Sequence, residues 1–381
     1  MSAVRIEDQG PVDACDVVVV GAGLIGAAIA ARLASEGLSV AVLEARRSAT
    51  CNADVETGIV HTGMPQHNSW AVSAFGRSQA QEIWSLTSES RIRLAEYAQS
   101  FGIDVEPRGS LRMASTEDEI EALRESSGLL QADGFDAWFS PRDPMGRGFL
   151  AALRYPDDLT VDATALTRAL LDSDHITIHE GCEVRSVEMD QGGALVWSSG
   201  RMIRCGVVVL AVNGYAPLFD SFFRVKVVPS RILAWASEPL DELCVERPFS
   251  TGHGHTLCHQ LSDRRLVLEQ WQSLNGHRES GMHLSESSDN LDDPLDEKLS
   301  LFAEEYFPEI RTRRLRKQSR VTGVTSDGLP LIGALPHLPV VYFAVGFECS
   351  GLSWLFLAAD RVADLALRGN APGILSDTRF Q

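Results

Sequence analysis

The apolar positions of this chain change period several times. After Asp16 comes the unbroken run Val17-Val18-Val19-Val20, the form of a strand buried on both faces. Gly21-Ala22-Gly23-Leu24-Ile25-Gly26 follows and leads into an alanine-rich stretch. That stretch predicts a helix to about Glu36, which Gly37 is placed to end. Ser39-Val40-Ala41-Val42-Leu43 predicts a second strand, finishing at Glu44. Together these segments make a complete βαβ opening.

From about 69 to 101 the pattern is helical, with Trp70, Phe75, Ile83, Trp84, Leu94 and Tyr97 as its apolar positions. Another helix starts near Thr116, with Glu119 three residues on, as in a capping box. Asp162 opens a shorter one through Leu171. Strands are expected at 176–179, 183–188, 194–197 and 203–210, the last ending in the apolar run Val207–Leu210. Between 225 and 275 the pattern is of short strands and turns, including Arg231–Trp235 and Arg265–Glu269. The acidic stretch 285–297 feeds a helix through Tyr306, with Asp293 as its cap and Pro294 in its first turn. A last helix spans about Leu352 to Leu367.

Composition narrows the function class. Hydrophobic residues are 44% and charged residues 23% of 381 positions, enough apolar material for a large core. The net charge is −18, from 52 acidic and 34 basic side chains. Such a surface repels phosphate backbones and anionic lipid, so no nucleic-acid partner is expected. No apolar run reaches the length of a membrane span; Val17–Ala31 is interrupted by three glycines. The basic cluster Arg311 to Lys317 is either a solvated strand or loop edge, or a partner-binding patch. Seven scattered cysteines without a Cys-x-x-Cys pair point to reduced thiols in a cytoplasmic protein. The four histidines between 253 and 277 show no i, i+4 pair, and no metal centre is expected.

The chemistry is carried first by Gly21-x-Gly23-x-x-Gly26. It follows a buried strand and opens a helix, the context a dinucleotide fingerprint requires. Gly21 permits the tight turn, Gly23 a close backbone approach to pyrophosphate, and Gly26 close helix–strand packing. The helix N-terminus offers free N–H groups to the phosphates. Glu44, at the end of the second strand, is placed to accept from ribose hydroxyls and disfavours a 2′-phosphate. A glycine-rich turn that merely packs a helix on a sheet would not account for Glu44.

With these residues in order, the chain resembles the D-amino-acid-oxidase-like family of FAD-dependent oxidoreductases, across nearly its whole length. Leu43-Glu44-Ala45-Arg46 continues the fingerprint, and Gly58-Ile59-Val60-His61 resembles the family's segment close to the flavin ring. Glu183-Val184 resembles its second adenosine contact, and Ala211-Val212-Asn213-Gly214 the strand end over the cofactor. Thr325-x-Asp327-Gly328-x-Pro330-x-Ile332-Gly333 follows the family's Thr-x-Asp-x-x-Pro-x-Ile-Gly pattern. Gly346-Phe347-x-x-x-Gly351-Leu352 resembles the closing segment that opens the last helix. A second Gly-x-Gly-x-x-Gly site for NAD is missing, since Gly252-His253-Gly254 lacks the third glycine.

The resemblance implies a Rossmann-type FAD-binding domain interleaved with a strand-rich substrate domain: an α/β fold with an α+β insertion. The expected FAD-binding stretches are 14–80, 150–220 and 320–375, and the substrate or cap stretches 81–149 and 221–319. The implied cofactor is FAD. The implied contacts are Gly21, Ala22, Gly23, Leu24, Ile25, Gly26, Glu44, Ala45, Arg46, Gly58, Ile59, Val60, Val184, Ala211, Asn213, Gly214, Asp327, Pro330, Ile332, Gly346, Gly351 and Leu352.

The implied reaction oxidises the C–N bond of a small amine or amino acid. Hydride passes to flavin N5, the imine hydrolyses, and oxygen or another acceptor takes the electrons. Hydroxy-acid dehydrogenation is the nearest chemical alternative. A flavin-binding subunit with a hetero-oligomeric partner is the alternative of a different class.

Arg320 stands where relatives carry glycine in Trp-x-Gly, Glu269-Gln270 where a strand often ends Gly-Gly, and Glu348-Cys349 where they carry Ser-Gly. The stretch 48–54 also departs from the family pattern. Candidates at the reacting centre are His61, His259, Arg320 and Glu348. Arg320 either clamps a substrate carboxylate or pairs with Asp327 or Glu269. His259 and His61 either line the pocket or are satisfied core histidines. Glu348 either attracts an ammonium or caps the last helix.

Overall fold

The computed structural model describes residues 12–46, 57–271, 294–311 and 313–380. The stretch 48–54 and Asp293 lie outside the described residues. The opening strand Val12–Val20 runs parallel to both Val40–Glu44 and Arg201–Leu210. Ile176–Glu180 extends this sheet parallel to Val40–Glu44. On the other side, Arg201–Leu210 serves two neighbours. Its first half pairs antiparallel with Gly193–Ser198, which in turn pairs with Val184–Asp190. Its last residues pair parallel with Leu338–Val345, which forms an antiparallel hairpin with Leu331–Leu335.

Val17 and Val19 face one apolar layer and Val18 and Val20 the other, all at most 6% exposed. A strand without polar positions is therefore required here. The helices Leu24–Ala34, Ala163–Leu171 and Gly351–Arg368 cover one face. Asp162 caps the second of these, accepting from Thr164 N and Ala165 N at 2.9 Å. Gly369, at φ 70°, ends the last.

A second, mixed sheet has the order Leu315–Val324, Val228–Ser237, Leu266–Trp271, Thr256–Gln260, Phe249–Thr251, Ser110–Ala114, Ala151–Tyr155, Trp138–Ser140. Its neighbours are antiparallel except Phe249–Thr251 beside Ser110–Ala114. Leu233, Trp235, Cys258 and Leu268 pack with Leu295, Leu299 and Ala303 of the helix Pro294–Tyr306. A small third sheet joins Ile59–Val60, Leu159–Val161 and Val105–Glu106.

The helical stretch 69–101 comprises two helices, Asn68–Phe75 and Arg77–Ser100, because Gly76 adopts φ 84° between them. The strand Ala151–Tyr155, grouped by sequence with the nucleotide unit, continues the hairpin ladder of the second sheet. Leu315–Val324 likewise lies wholly in that sheet, across the expected boundary at 320. The helix Arg77–Ser100, assigned mostly to the cap, packs on the last helix. Arg93 pairs with Asp360, and the rings of Tyr97 and Phe356 lie 5.3 Å apart. The basic cluster is paired within the fold, Arg313 with Asp241 at 2.6 Å and Lys317 with Asp296 at 2.8 Å, as on a solvated edge. Among the described residues no helix is long and apolar enough to cross a membrane.

Trp354 sits fully buried on the last helix against this core. Trp354→Ala is expected to cost about 3–5 kcal/mol through the cavity it leaves. The shift of the urea midpoint, read by circular dichroism, checks this.

Candidate active site

Three strand ends meet at the glycine fingerprint. Gly21 N donates to Leu43 O at 2.8 Å, and Ala211 N donates to Val20 O at 2.9 Å. A Cβ on Gly21, at φ 104°, would lie 2.8 Å from Ala211 O; one on Gly26 would lie 1.9 Å from Gly21 O. Neither position admits a side chain without parting helix from strand. Gly23 precedes the first turn of Leu24–Ala34 in extended conformation, with no side-chain cap. The first-turn N–H groups, Ile25 and Gly26 among them, are thus left to a ligand.

Glu44 lies across this turn. Its carboxylate accepts from Ala22 N and Arg46 N, both at 2.9 Å. Arg46 reaches Tyr215 Oη at 3.0 Å, while Ala45 is exposed. The turn before Val184 is tied to the same place: Cys182 N donates to Glu44 O and Gly181 N to Arg46 O.

The last helix begins beside the first. A Cβ on Gly351 would come 4.0 Å from Ile25 Cδ1. Two helix N-termini therefore converge, and both favour negative charge in front of them. Leu352 and Ile332 are core side chains, and Pro330 is buried. Asp327 is engaged within the fold: Arg379 donates to it at 2.7 Å, and Thr325 Oγ1 and Leu329 N lie 3.0 and 3.1 Å from its Oδ1.

Asn213, at φ 42°, holds the approach of the two sheets. Its Oδ1 accepts from Gly346 N, Phe347 N and Gly323 N at 3.0 to 3.2 Å, and its Nδ2 donates to Thr322 Oγ1. Beside it, a Cβ on Gly214 would lie 2.4 Å from Thr322 O.

The second sheet contributes one face. Arg320 is opposite Ile232, which is opposite Trp271; Glu269 is opposite Leu257, and His259 opposite Val267. Direct partners and residues two apart share a face. Arg320, Trp271, Glu269 and His259 thus point together, away from the apolar side that carries Leu268 and Trp235. Arg320 donates to Glu269 Oε2 at 2.5 Å, and Glu269 Oε1 accepts from Thr57 N at 2.6 Å. Thr57 O accepts from His259 Nδ1 at 2.8 Å. A polar chain, Arg320–Glu269–Thr57–His259, runs beside Gly58, where a Cβ would meet Val161 O at 2.3 Å.

The carbonyl bond places the proton of a neutral His259 on Nδ1. Its Nε2, buried and without a hydrogen-bond partner, is then a lone pair. Burial lowers the pKa of His259, opposed by the Thr57 bond and Glu106, and lowered further by Arg108. His61 is turned instead toward Asp158, with Nδ1 3.5 Å from the carboxylate, at the end of the Ile59–Val60 strand. Glu348 takes the left-handed conformation, φ 49°, in the loop before the last helix. Burial pushes its carboxyl up to about 8; Gln66 opposes this and Asp327 adds to it. Cys349 packs against Ile232, Trp271 and Val324. Burial, with Glu348 and Glu269 nearby, pushes its thiol far above the ordinary range, so it remains protonated.

The family model described as "FAD dependent oxidoreductase", DAO, matches residues 16–365. The chain belongs to this family. Glycine oxidase of Pseudomonas aeruginosa is 26% identical over 375 residues, covering 93% of this chain and 95% of that protein. Glycine oxidase of Bacillus licheniformis is 23% identical over 369 residues, with 92% and 93% covered. The crystal structure of glycine oxidase from Geobacillus kaustophilus superposes with a TM-score of 0.78 at 20% identity, covering 96% of this chain and 99% of that one. L-amino acid deaminase from Proteus myxofaciens, solved with anthranilate, gives 0.73 at 17% identity over 98% and 95%.

As a DAO-family member the protein is an FAD-dependent oxidoreductase. The residues present fit that cofactor: the glycine turn is closed to any Cβ, an acidic side chain lies across it, and two uncapped helix starts converge. Glu269 and Trp271 share the face of Arg320 and His259, and Thr57 bonds to it, a grouping the sequence did not give. Glu269 stood out as a departure from Gly-Gly and as one of two possible partners of Arg320. Its strand register with Arg320 was the missing signal.

Two outcomes follow from this geometry. Gly26→Ala is expected to yield protein that loses flavin on gel filtration, read as the ratio of flavin to protein absorbance. Glu348 has a folded pKa above its ordinary value of 4.5, so its contribution to stability is full below that value and lost as pH rises through about 8. The slope approaches about 1.4 kcal/mol per pH unit inside this window. Glu348→Gln is expected to flatten it, as measured by denaturation across the window.

Proposed function

We propose that this oxidoreductase acts on the C–N bond of a small amine or amino acid, held on the Arg320–Glu269–His259 face of the second sheet. We assign that sheet as the substrate unit and the parallel sheet as the cofactor unit. FAD, when bound, supplies the hydride acceptor and the route of electrons to oxygen or another acceptor. The fingerprint turn Gly21–Gly26 and Glu44 hold its pyrophosphate and ribose, with Val184 beside them. Gly58–Val60, Ala211–Gly214 and Gly346–Leu352 form the wall toward the pocket.

The observation that carries the reading is the buried lone pair of His259 Nε2, on the same face as a guanidinium. The neutral imidazole accepts a hydrogen bond from the substrate amine or takes its proton, which leaves the nitrogen neutral for oxidation. Arg320 is about a quarter exposed and shares its face with His259. It orients a substrate carboxylate. Glu269 keeps Arg320 in place, and its own charge is compensated by that pair and by Thr57 N. Trp271 and Ile232 exclude water from the face between them. Glu348 is neutral at pH 7 and holds its proton at the carboxyl beside this wall. The free thiols at the six described cysteines support a reducing, cytoplasmic setting.

An anaerobic panel of amines and amino acids, followed by flavin absorbance, tests the proposal. At least one compound is expected to bleach the flavin bands of the yellow protein. A yellow protein that no amine bleaches, but that purifies with a second chain, would overturn it in favour of a flavin-binding subunit. With a bleaching compound in hand, His259→Gln is expected to lower kcat/KM by about 10²–10⁴. The flavin content should stay unchanged. Arg320→Lys is expected to raise KM for amino acids more than for amines that lack a carboxylate.

A further inference from the structure

His67, Glu119 and His253 come from three separate elements and meet on the side of the second sheet near the start of the helix Asn68–Phe75. Their ligating atoms all lie within 4.8 Å of one another. His67 ends the loop that continues from Gly58–His61 and immediately precedes that helix, without capping it. Glu119 sits in the first turn of Glu117–Ala132. His253 occupies the tight turn between Phe249–Thr251 and Thr256–Gln260, at φ 55°.

The decisive feature is His67. Its side chain is 5% exposed, and neither ring nitrogen has a hydrogen-bond partner. A buried imidazole left in that state is costly, and a ligand at one nitrogen removes the deficit. The His67 and His253 rings lie 5.2 Å apart and tilted by 59°, so they do not stack. Glu119 is held rigidly. Its Oε2 accepts from Ser115 N and Ser115 Oγ, and its Oε1 from His253 N, each at 2.9 Å. Oε1 keeps a second lone pair. The carboxyl thus does not return to Thr116, as a simple capping box would have it, but reaches Ser115 and the strand turn. The buried cation beside the cluster, Arg112, is committed to the carbonyls of Met64, Pro65 and Gln66 and lies over the Tyr155 ring.

We propose that His67, Glu119 and His253 bind a divalent transition metal of the zinc type. Two imidazoles and one carboxylate are a common zinc donor set, and exposed His253 leaves a position open to water. Zinc–ligand bonds of about 2.0–2.2 Å in a tetrahedron set ligand atoms about 3.3 Å apart, so only small side-chain shifts are needed. The ion ties the loop after the flavin-side glycine to the second sheet and to the helix Glu117–Ala132. Its role is structural, and no step of the oxidation runs through it.

The test uses the full chain with FAD bound, stripped by a chelator and titrated with Zn²⁺ by calorimetry. One equivalent is expected to bind and to raise the melting temperature. His253→Asn tolerates the left-handed backbone and removes one ligand. Glu119→Gln keeps the shape and removes the charge. Each is expected to weaken binding at least about tenfold, with flavin spectrum and circular dichroism unchanged. Failure of the wild-type protein to bind a single equivalent would overturn the proposal. So would wild-type affinity in either variant that folds.

Discussion

The amide oxygen of Asn213 accepts three backbone N–H groups from two other parts of the chain, Gly323 on one side and Gly346 and Phe347 on the other. That one atom joins the end of the central strand of the parallel sheet to an edge strand of the second sheet and to the loop before the last helix. The contact demands a backbone at φ 42°, which asparagine tolerates better than most residues. It also demands glycine at 214 and 323, where a Cβ would run into Thr322 O and into Val227 and Asn213. The two sheets meet at this seam at close range.

The seam gives the alternation of the second sheet its meaning. Successive residues of Leu266–Trp271 are buried on both faces, but the two faces are unlike. Leu266 and Leu268 join an apolar core under the helix Pro294–Tyr306. Glu269 and Trp271 look the other way, toward Arg320 and Thr57. Charge on that face is buried only as a pair. Glu269 is 1% exposed, and both its oxygens are engaged. Removing one partner of such a pair leaves a costly uncompensated charge, so neither Arg320 nor Glu269 is replaceable alone.

Burial sets the chemistry of the other polar groups. Glu348 and Cys349 stand where the family pattern is Ser-Gly, and both are pushed toward their protonated forms by loss of water. A carboxyl and a thiol at this place therefore add no negative charge at pH 7, although their formulae suggest that they would. Asp327, by contrast, keeps a guanidinium partner in Arg379, which comes from the C-terminal turn.

Local sequence determined the βαβ opening, the glycine turn, Glu44 across it, the helix caps at Thr116 and Asp162, and the resemblance that identified the family. Each depends on residues close in sequence or on a spacing that strand and helix periods enforce, so each is legible without coordinates. The break at Gly76 was hidden because both helices share an apolar face and a single glycine is tolerated in a helical pattern. Tertiary structure alone decided which partner Arg320 takes, which way His61 turns, and that His67, Glu119 and His253 meet. Those contacts join positions far apart in the chain, Glu119 and His253 being 134 residues apart. They depend on strand register and on the approach of two sheets, neither of which leaves a periodic signal in one chain.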